Sequence, residues 1–205
     1  MTDIDFSCDC GKFKATLNAA TPAVGSHIVC YCNDCQAFAA TLDRIDHVLD
    51  DNGGTPIFQT SPSRLRVRQG IEHLTALRLT GGPLLRWYTS CCHQPIGNTL
   101  NSTKLPFIGL IALAKMADDP EAAKKALGPS MGGIYTESSW RPYEGKRAFM
   151  PGLLVAMMKR LLGTKFAGKS LETPLFNDVG EPIVDARRVS KTERAQADQL
   201  LAARR

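Results

Sequence analysis

Long apolar runs and an apolar leader are both missing from this sequence. The two longest apolar stretches, residues 105–114 and 151–158, are shorter than the roughly 20 residues that a membrane-spanning helix needs. The start, MTDIDFSCDC, has neither the basic nor the apolar region of a secretory signal. We therefore predict a cytoplasmic protein that has no membrane partner.

A strong excess of one charge is also missing. The chain has 25 basic and 20 acidic residues, a net charge of +5, and both signs are spread along its length. Nucleic-acid-binding domains usually concentrate basic residues on one face, and exposed aromatic residues often accompany them. A nucleic-acid partner is therefore not expected.

Cysteine, in contrast, is abundant. The chain has seven cysteines, an odd number, and no secretory signal, and both facts argue against a disulfide framework. Clustered cysteines in a reducing compartment more often bind metal or carry out thiol chemistry. The segment after Trp140 contains neither cysteine nor histidine, so we place this chemistry in the earlier part of the chain. The cysteines form three groups: Cys8 and Cys10; Cys30, Cys32 and Cys35; and Cys91 and Cys92.

The CxCxxC group of Cys30, Cys32 and Cys35 predicts a zinc site. Zinc in proteins takes about four ligands in a tetrahedron, and ligands close in sequence can converge where the backbone turns. Asn33 and Asp34 are turn residues between two of these thiols. Three thiolates leave a fourth position for water, a substrate or another side chain, and an open position is typical of a catalytic site. The alternative is a metal-free redox pair, because CNDC is also a CxxC motif.

Cys8, Cys10, Cys91 and Cys92 predict a second site. The CxCG start supplies two ligands, and Gly11 lets the backbone turn. A distant cysteine pair must complete the set, and Cys91 with Cys92 is available. Such a closed zinc site would join the first strand to a late part of the sheet and would contribute folding free energy directly.

The first 112 residues or so predict a mostly β fold. Short segments rich in β-branched and aromatic residues alternate with turns that contain glycine, proline or asparagine. Residues 36–51 predict a helix instead. We predict a zinc-binding β domain over residues 1–139 and a helical extension over residues 140–205, packed on or beside it. The strand segments are residues 4–8, 13–19, 25–30, 56–60, 64–68, 74–80, 84–90 and 107–113.

Three helices are predicted after the β region. The first has Asp119 as its N-cap and Gly128 as its stop, and the second runs over residues 151–163. The third begins with a capping box of Ser190 and Glu193. Because residues 151–163 are apolar around most of the helix, we expect this helix to be buried, either in the core or in a homodimer contact.

The order of the motifs resembles one known family. CxCG at residues 8–11, CYCNDC at residues 30–35, then IFQT and RWYTSCC are similar to the glutathione-dependent formaldehyde-activating enzymes, a family that includes centromere protein V. The resemblance covers about residues 4–115. It implies a β-tent of antiparallel sheets, a catalytic zinc on Cys30, Cys32 and Cys35, and a structural zinc on Cys8, Cys10 and a later CxxC pair.

The sequence departs from the family at that later CxxC pair. When RWYTSCC is aligned on the family's R-x-F, Thr89 stands at the first cysteine position and Cys92 at the second. Cys91 or His93 would then have to complete the structural site.

The activity that the resemblance implies is of the carbon–sulfur lyase type. A small thiol such as glutathione and a small aldehyde such as formaldehyde would join to give S-hydroxymethylglutathione. His27, His47, His73 and Asp34 are all candidate proton carriers, and none is singled out by the sequence. The alternatives are a non-catalytic zinc-binding interaction module and a thiol redox protein.

Glutathione carries two carboxylates, so a basic surface near the site would help to bind it. In the predicted strand of residues 64–68, alternation places Arg64, Arg66 and Arg68 on one face. These arginines form either an anion site or an ordinary solvated face.

Overall fold

The computed structural model describes residues 1–79, 81–166 and 173–205. The strands are Thr2–Ser7 (β1), Lys14–Ala20 (β2), Ser26–Cys30 (β3), Thr55–Thr60 (β4), Leu65–Gln69 (β5), Leu74–Arg78 (β6), Leu84–Thr89 (β7), Pro95–Leu100 (β8), Ile108–Ile111 (β9), Gly133–Ile134 (β10) and Arg187–Arg188 (β11). The α-helices are Asn33–Thr41 (α1), Ile45–Val48 (α2), Leu113–Met116 (α3), Pro120–Leu127 (α4), Met150–Phe166 (α5) and Lys191–Ala202 (α6). Single 3-10 turns lie at Pro62–Arg64, Ile71–His73 and Thr136–Ser138.

The described strands form two sheets, which confirms a mostly β fold. The smaller sheet has the order β1-β2-β5, and the larger has the order β10-β3-β4-β9-β8-β7-β6-β11. Each of the eight predicted strand segments overlaps a strand. In the segment at residues 74–80 the strand ends at Arg78, and residue 80 lies outside the described residues.

The pairing is antiparallel except at the two edges of the larger sheet. β10 runs parallel to β3, and β11 runs parallel to β6, over two residues each. Both edge strands come from late in the chain, so later segments pair with the outermost of the earlier strands. The predicted division at residue 139 stays a prediction, and residues 167–172 of the predicted extension lie outside the described residues.

β8 was not predicted, because its sequence PIGNTL contains three residue types that usually mark turns. The strand lies between β7 and β9. Gly97 has a packing reason for being there: a Cβ at this position would lie 2.9 Å from the carbonyl oxygen of Gly109 on the neighbouring strand. Asn98 is buried and forms part of a polar cluster described below.

The larger sheet is buried on both faces. Phe58, Trp87 and Leu110 face the smaller sheet and pack with its buried side chains. The residues next to them in sequence, such as Ile57 and Ile111, face the other way and pack against α1 and α6. Alternate residues of a strand point to opposite faces, so these strands appear continuously apolar in sequence. The result is a three-layer arrangement of sheet, sheet and helices.

The predicted ends of two helices are confirmed. Asp119 caps α4 by accepting a hydrogen bond from the amide of Ala122, and Gly128 ends the helix with a φ of 73°. Ser190 and Glu193 form both bonds of the capping box that begins α6. The predicted helix at residues 36–51 is instead two helices, α1 and α2, separated at Asp43, which has a φ of 55°.

The predicted end of α5 is wrong. Gly163 does not end the helix, because it has no positive φ, and α5 continues to Phe166. Within this chain the core buries one side of the helix only: Leu153 and Leu161 are buried, whereas a second apolar face is open, and burial of that face in a homodimer contact stays a prediction. No described helix has both the length and the apolarity that a membrane span requires.

Candidate metal centres

The fold gathers all seven cysteines into two groups. Within each group the sulfur atoms lie within 4.8 Å of one another. The first group, called here the four-thiol centre, contains Cys8, Cys10, Cys91 and Cys92. The second group, the three-thiol centre, contains Cys30, Cys32 and Cys35. Both sets are those that the sequence predicts as metal ligands.

The four-thiol centre joins two turns that are far apart in the chain. The Sγ atom of Cys8 lies 3.6 Å from that of Cys10 and 3.8 Å from that of Cys91. The Sγ atoms of Cys10 and Cys91 are 3.3 Å apart, and those of Cys91 and Cys92 are 4.0 Å apart. The backbone N–H of Phe13 also donates to the Cys8 sulfur at 3.3 Å. This centre therefore brings together the turn after β1 and the turn after β7, and a metal bound there would join them.

Thr89 shapes the turn that presents Cys91 and Cys92. Its side chain is fully buried, and its hydroxyl accepts a hydrogen bond from the amide of Gln94 at 3.1 Å. The same hydroxyl lies 3.5 Å from the Cys92 sulfur. Thr89 is thus a support for the turn, and both neighbouring cysteines reach the cluster. His93 is outside the cluster, with its ring edge-to-face against Tyr88.

The three-thiol centre lies where β3 ends and α1 begins. Cys30 is the last residue of β3, Cys32 is the N-cap of α1, and Cys35 is in its first turn. The Sγ atoms of Cys30 and Cys35 are 3.7 Å apart. The amide of Cys35 donates to the Cys32 sulfur at 3.4 Å. The positive end of the helix dipole also favours negative charge on these sulfurs.

Arg86 brings a buried positive charge to the three-thiol centre. Its side chain is 3% exposed, and its guanidinium lies over the Phe38 ring. Its Nη1 atom lies 3.9 Å from the Cys35 sulfur and 3.5 Å from the Oδ1 atom of Asn98. Its Nη2 atom lies 3.7 Å from a carboxylate oxygen of Asp34. A buried charge is stable only when opposite charge or hydrogen bonds compensate it. Arg86 is therefore placed to neutralise a negatively charged thiolate cluster.

Two hydroxyl groups also border the three-thiol centre. Thr55 is directly opposite Cys30 on the paired strand, so both side chains are on one face of the sheet. The Thr55 hydroxyl is buried and has no hydrogen-bond partner among the described residues. Tyr135 is half-exposed, and burial together with the nearby charge of the three thiols raises its pKa.

Crowding makes the thiols of each centre differ in acidity. Hydrogen bonds from Cys30 and Cys35 lower the pKa of Cys32 to about 2, whereas hydrogen bonding with Cys32 raises the pKa of Cys30. Burial raises the pKa of Cys92, but hydrogen bonds from Thr89 and its neighbouring thiols outweigh burial and bring the pKa to about 7. Burial raises the pKa of Cys91 to about 12. Adjacent thiols cannot all ionise unless a cation compensates them.

The geometry of both centres fits a tetrahedral thiolate metal. With Zn–S bonds of about 2.3 Å, two sulfurs of a tetrahedron are about 3.8 Å apart. The distances of 3.3 to 4.0 Å in the four-thiol centre and 3.7 Å in the three-thiol centre agree with this value. Both cysteine groups can therefore bind a metal ion. Thiolate-only ligand sets favour zinc over hard cations such as magnesium.

The predicted basic strand lies away from the three-thiol centre. Arg66 and Arg68 are on β5, in the smaller sheet, and Arg68 pairs with Asp5 at 3.2 Å. Arg64 is in the preceding 3-10 turn, not in the strand. The solvated-face interpretation therefore describes this strand better than an anion site at the thiols.

The candidate proton carriers are also placed elsewhere or are already paired. His27 bonds through its ring to the carbonyl oxygen of Gly128, and His73 lies beside Glu72. His47 lies 3.6 Å from a carboxylate oxygen of Asp9, which is next to Cys8 and Cys10 in sequence. Asp34 is at the three-thiol centre, but Arg86 and Arg194 hold it as an ion pair.

Sequence reasoning missed the roles of Arg86, Thr55 and Tyr135. An arginine inside the apolar strand LLRWYT is a signal that could have been used, because a charge at such a position needs a buried partner. Thr55 and Tyr135 carry no such signal, since their proximity to Cys30 depends on strand pairing.

We expect the purified chain to contain about two zinc ions, one for each centre. Cys10→Ser and Cys32→Ser should each lower the content to about one, because each removes a ligand from one centre only. Metal analysis by mass spectrometry measures this content, and each variant is the matched control for the other. Zinc-free wild-type protein, or the loss of all zinc in either variant, would contradict separate centres.

Comparison with known proteins gives a family but no activity. No curated protein matches the chain. Among solved structures, the crystal structure of a Rhodobacter sphaeroides protein is similar at 16% identity and a TM-score of 0.41, covering 64% of this chain and 100% of that one. Neither comparison tests the resemblance to formaldehyde-activating enzymes, which stays a prediction. Residues 2–187 match the family of unknown function DUF6151, and the chain therefore belongs to that family.

Proposed function

We propose that the three-thiol centre binds zinc and joins a small thiol to a small aldehyde, as in the formation of S-hydroxymethylglutathione. The observation that carries this proposal is the incomplete ligand set. Cys30, Cys32 and Cys35 converge, and among the described residues no histidine, carboxylate or further cysteine joins their group. The four-thiol centre, by contrast, has a complete tetrahedral set and serves a structural role.

Zinc bound by three thiolates would supply a fourth position at which an incoming thiol loses its proton near neutral pH. The chain's own residues would create that position. Cys30, Cys32 and Cys35, at the positive end of α1, would hold the ion, and Arg86 would compensate the net negative charge of three thiolates on one divalent cation. A centre rich in thiolate is a weak Lewis acid, which favours carrying a thiol over activating water.

The reaction needs no oxidant or reductant. One carbon–sulfur bond forms between the thiol sulfur and the carbonyl carbon, and the thiol proton ends on the carbonyl oxygen. The unpaired Thr55 hydroxyl is suited to hold that oxygen by a hydrogen bond, because it is buried beside Cys30. Tyr135 stays protonated near neutral pH, because burial and the charge of the thiols raise its pKa, so it is suited to donate a hydrogen bond rather than to carry the proton.

A basic residue after α6 favours an anionic thiol. Arg194, on α6, is already compensated, because it pairs with Asp34 at 2.9 Å and with Asp198 at 3.0 Å. Arg205 donates to the side-chain oxygens of Asn33 at 2.9 Å and Gln36 at 3.0 Å, which are amide groups without charge. A positive charge next to the Cys32–Cys35 turn supports the choice of glutathione, with its two carboxylates, over a neutral thiol.

We expect the zinc-loaded chain to accelerate exchange between glutathione and its formaldehyde adduct. Cys32→Ser should lower this rate by roughly a hundredfold or more, since the effect of the metal on the bound thiol is worth several kcal/mol. Nuclear magnetic resonance exchange spectroscopy measures the rate without a coupled enzyme. Gln196→Ala, an exposed change on α6, is the control and should leave the rate unchanged.

Two results of this experiment would contradict the proposal. Zinc-loaded protein that binds glutathione but does not accelerate exchange would indicate a binding module. Zinc-free protein in which Cys32 and Cys35 form a reversible disulfide at cytosolic potentials would indicate a thiol redox protein.

Thr55→Val separates a functional hydroxyl from a structural one. The hydroxyl has no protein partner to lose, so we expect the free energy of unfolding to stay the same or rise by up to about 1 kcal/mol. The exchange rate should nevertheless fall roughly three- to tenfold, the cost of one hydrogen bond in the transition state. Urea denaturation and exchange spectroscopy measure the two quantities. An unchanged rate in a stable variant would exclude Thr55 from the reaction.

A further inference from the structure

The second apolar face of α5 is a feature that the proposed reaction leaves unused. Leu154, Met158, Leu162 and Phe166 follow one another at intervals of four residues, so they form one ridge along the helix. Their side chains are between 44% and 86% exposed. Val155, Met150 and the preceding Phe149 extend the surface, and they are 55%, 41% and 74% exposed. We call these seven residues the α5 apolar face.

The rest of the protein holds α5 so that this face stays outside. Leu153 and Leu161, on the other side of the helix, are buried against the protein. Arg160 donates a hydrogen bond to the Ser26 hydroxyl on β3 at 2.8 Å. The helix is therefore fixed on the larger sheet through one apolar side and presents the other. A continuous exposed apolar surface on a folded protein usually marks an interaction site.

Basic residues are the only charged residues in the segment that contains the α5 apolar face, and the nearest acidic residue in sequence is Glu144, directly before it. From Gly145 to Phe166 the chain has five basic residues and no acidic residue. Lys146 and Arg147 are exposed and precede Phe149, and Lys159 is exposed within the helix. In a symmetric dimer through this face, the same basic residues would meet each other without an acidic partner. A negatively charged surface with an apolar interior complements this face better than a second copy of the chain does.

We propose that the α5 apolar face docks on the surface of an anionic lipid bilayer. An interfacial helix with basic residues beside leucine and phenylalanine lies in the plane of the headgroups with its apolar side inserted. Each basic residue near such a surface adds roughly fivefold to the affinity. The sequence prediction of no membrane partner considered only spanning helices, and the length of α5 does not limit binding at the interface.

Vesicle flotation tests this proposal with the full-length chain. We expect binding to phosphatidylcholine vesicles that contain about 30% phosphatidylglycerol, and at least tenfold weaker binding to phosphatidylcholine alone. The double variant Leu154→Gln with Leu162→Gln should lower binding to the anionic vesicles by about tenfold or more, because two apolar anchors are lost. Lys159→Gln, which leaves the apolar surface intact, should lower it roughly fivefold.

A matched control carries the same changes elsewhere. Ile71, in the 3-10 turn before β6, and Leu200, on α6, are exposed to a similar extent, at 42% and 50%, so Ile71→Gln with Leu200→Gln should bind as the wild type does. Zinc content and circular dichroism show that each variant is folded. The proposal is overturned by wild-type protein that does not float with anionic vesicles, or by binding that the α5 variants do not change. It is also overturned if light scattering shows a wild-type dimer that Leu154→Gln with Leu162→Gln separates into monomers.

Discussion

Thiol groups packed at about van der Waals distance impose an electrostatic constraint on the whole structure. Sulfurs 3.3 to 4.0 Å apart cannot all carry negative charge unless a cation lies among them, and as neutral thiols they form only weak hydrogen bonds. A bound metal resolves this conflict and turns the clusters into cross-links. The four-thiol centre then fixes the turn after β1 to the turn after β7, and the three-thiol centre fixes the end of β3 to the start of α1.

Strand β7 connects the two centres. Arg86, on the helix-facing side of the strand, reaches the three-thiol centre, and Thr89 at its end supports the turn that presents Cys91 and Cys92. A metal bound at the four-thiol centre would therefore hold in place the strand that supplies the compensating charge at the other centre. Under the proposed function, this arrangement would give the closed site a role in the reaction as well as in folding, since Arg86 can compensate the thiolates only if β7 keeps its position.

Local patterns predicted much of this fold, because they act over a few residues. The spacing of Cys30, Cys32 and Cys35 and the capping box at Ser190 depend only on nearby backbone, and the structure places both as expected. β8 was missed because its glycine and asparagine are needed for contacts with neighbouring strands, and not for a turn. Thr55 and Arg86 could not be assigned to the site because strand pairing alone brings them there. The open face of α5 was missed because the apolar composition of a helix does not determine which of its faces packs against the rest of the protein.

The central claim is that one centre is complete and the other has an open position. X-ray absorption at the zinc edge tests it most directly, because it counts sulfur neighbours. With one ion at each centre, we expect an average of about 3.5 sulfur ligands per zinc in the purified chain, rising to about four when a small thiol is added. An average of four before any thiol is added, or no change on its addition, would contradict the open position.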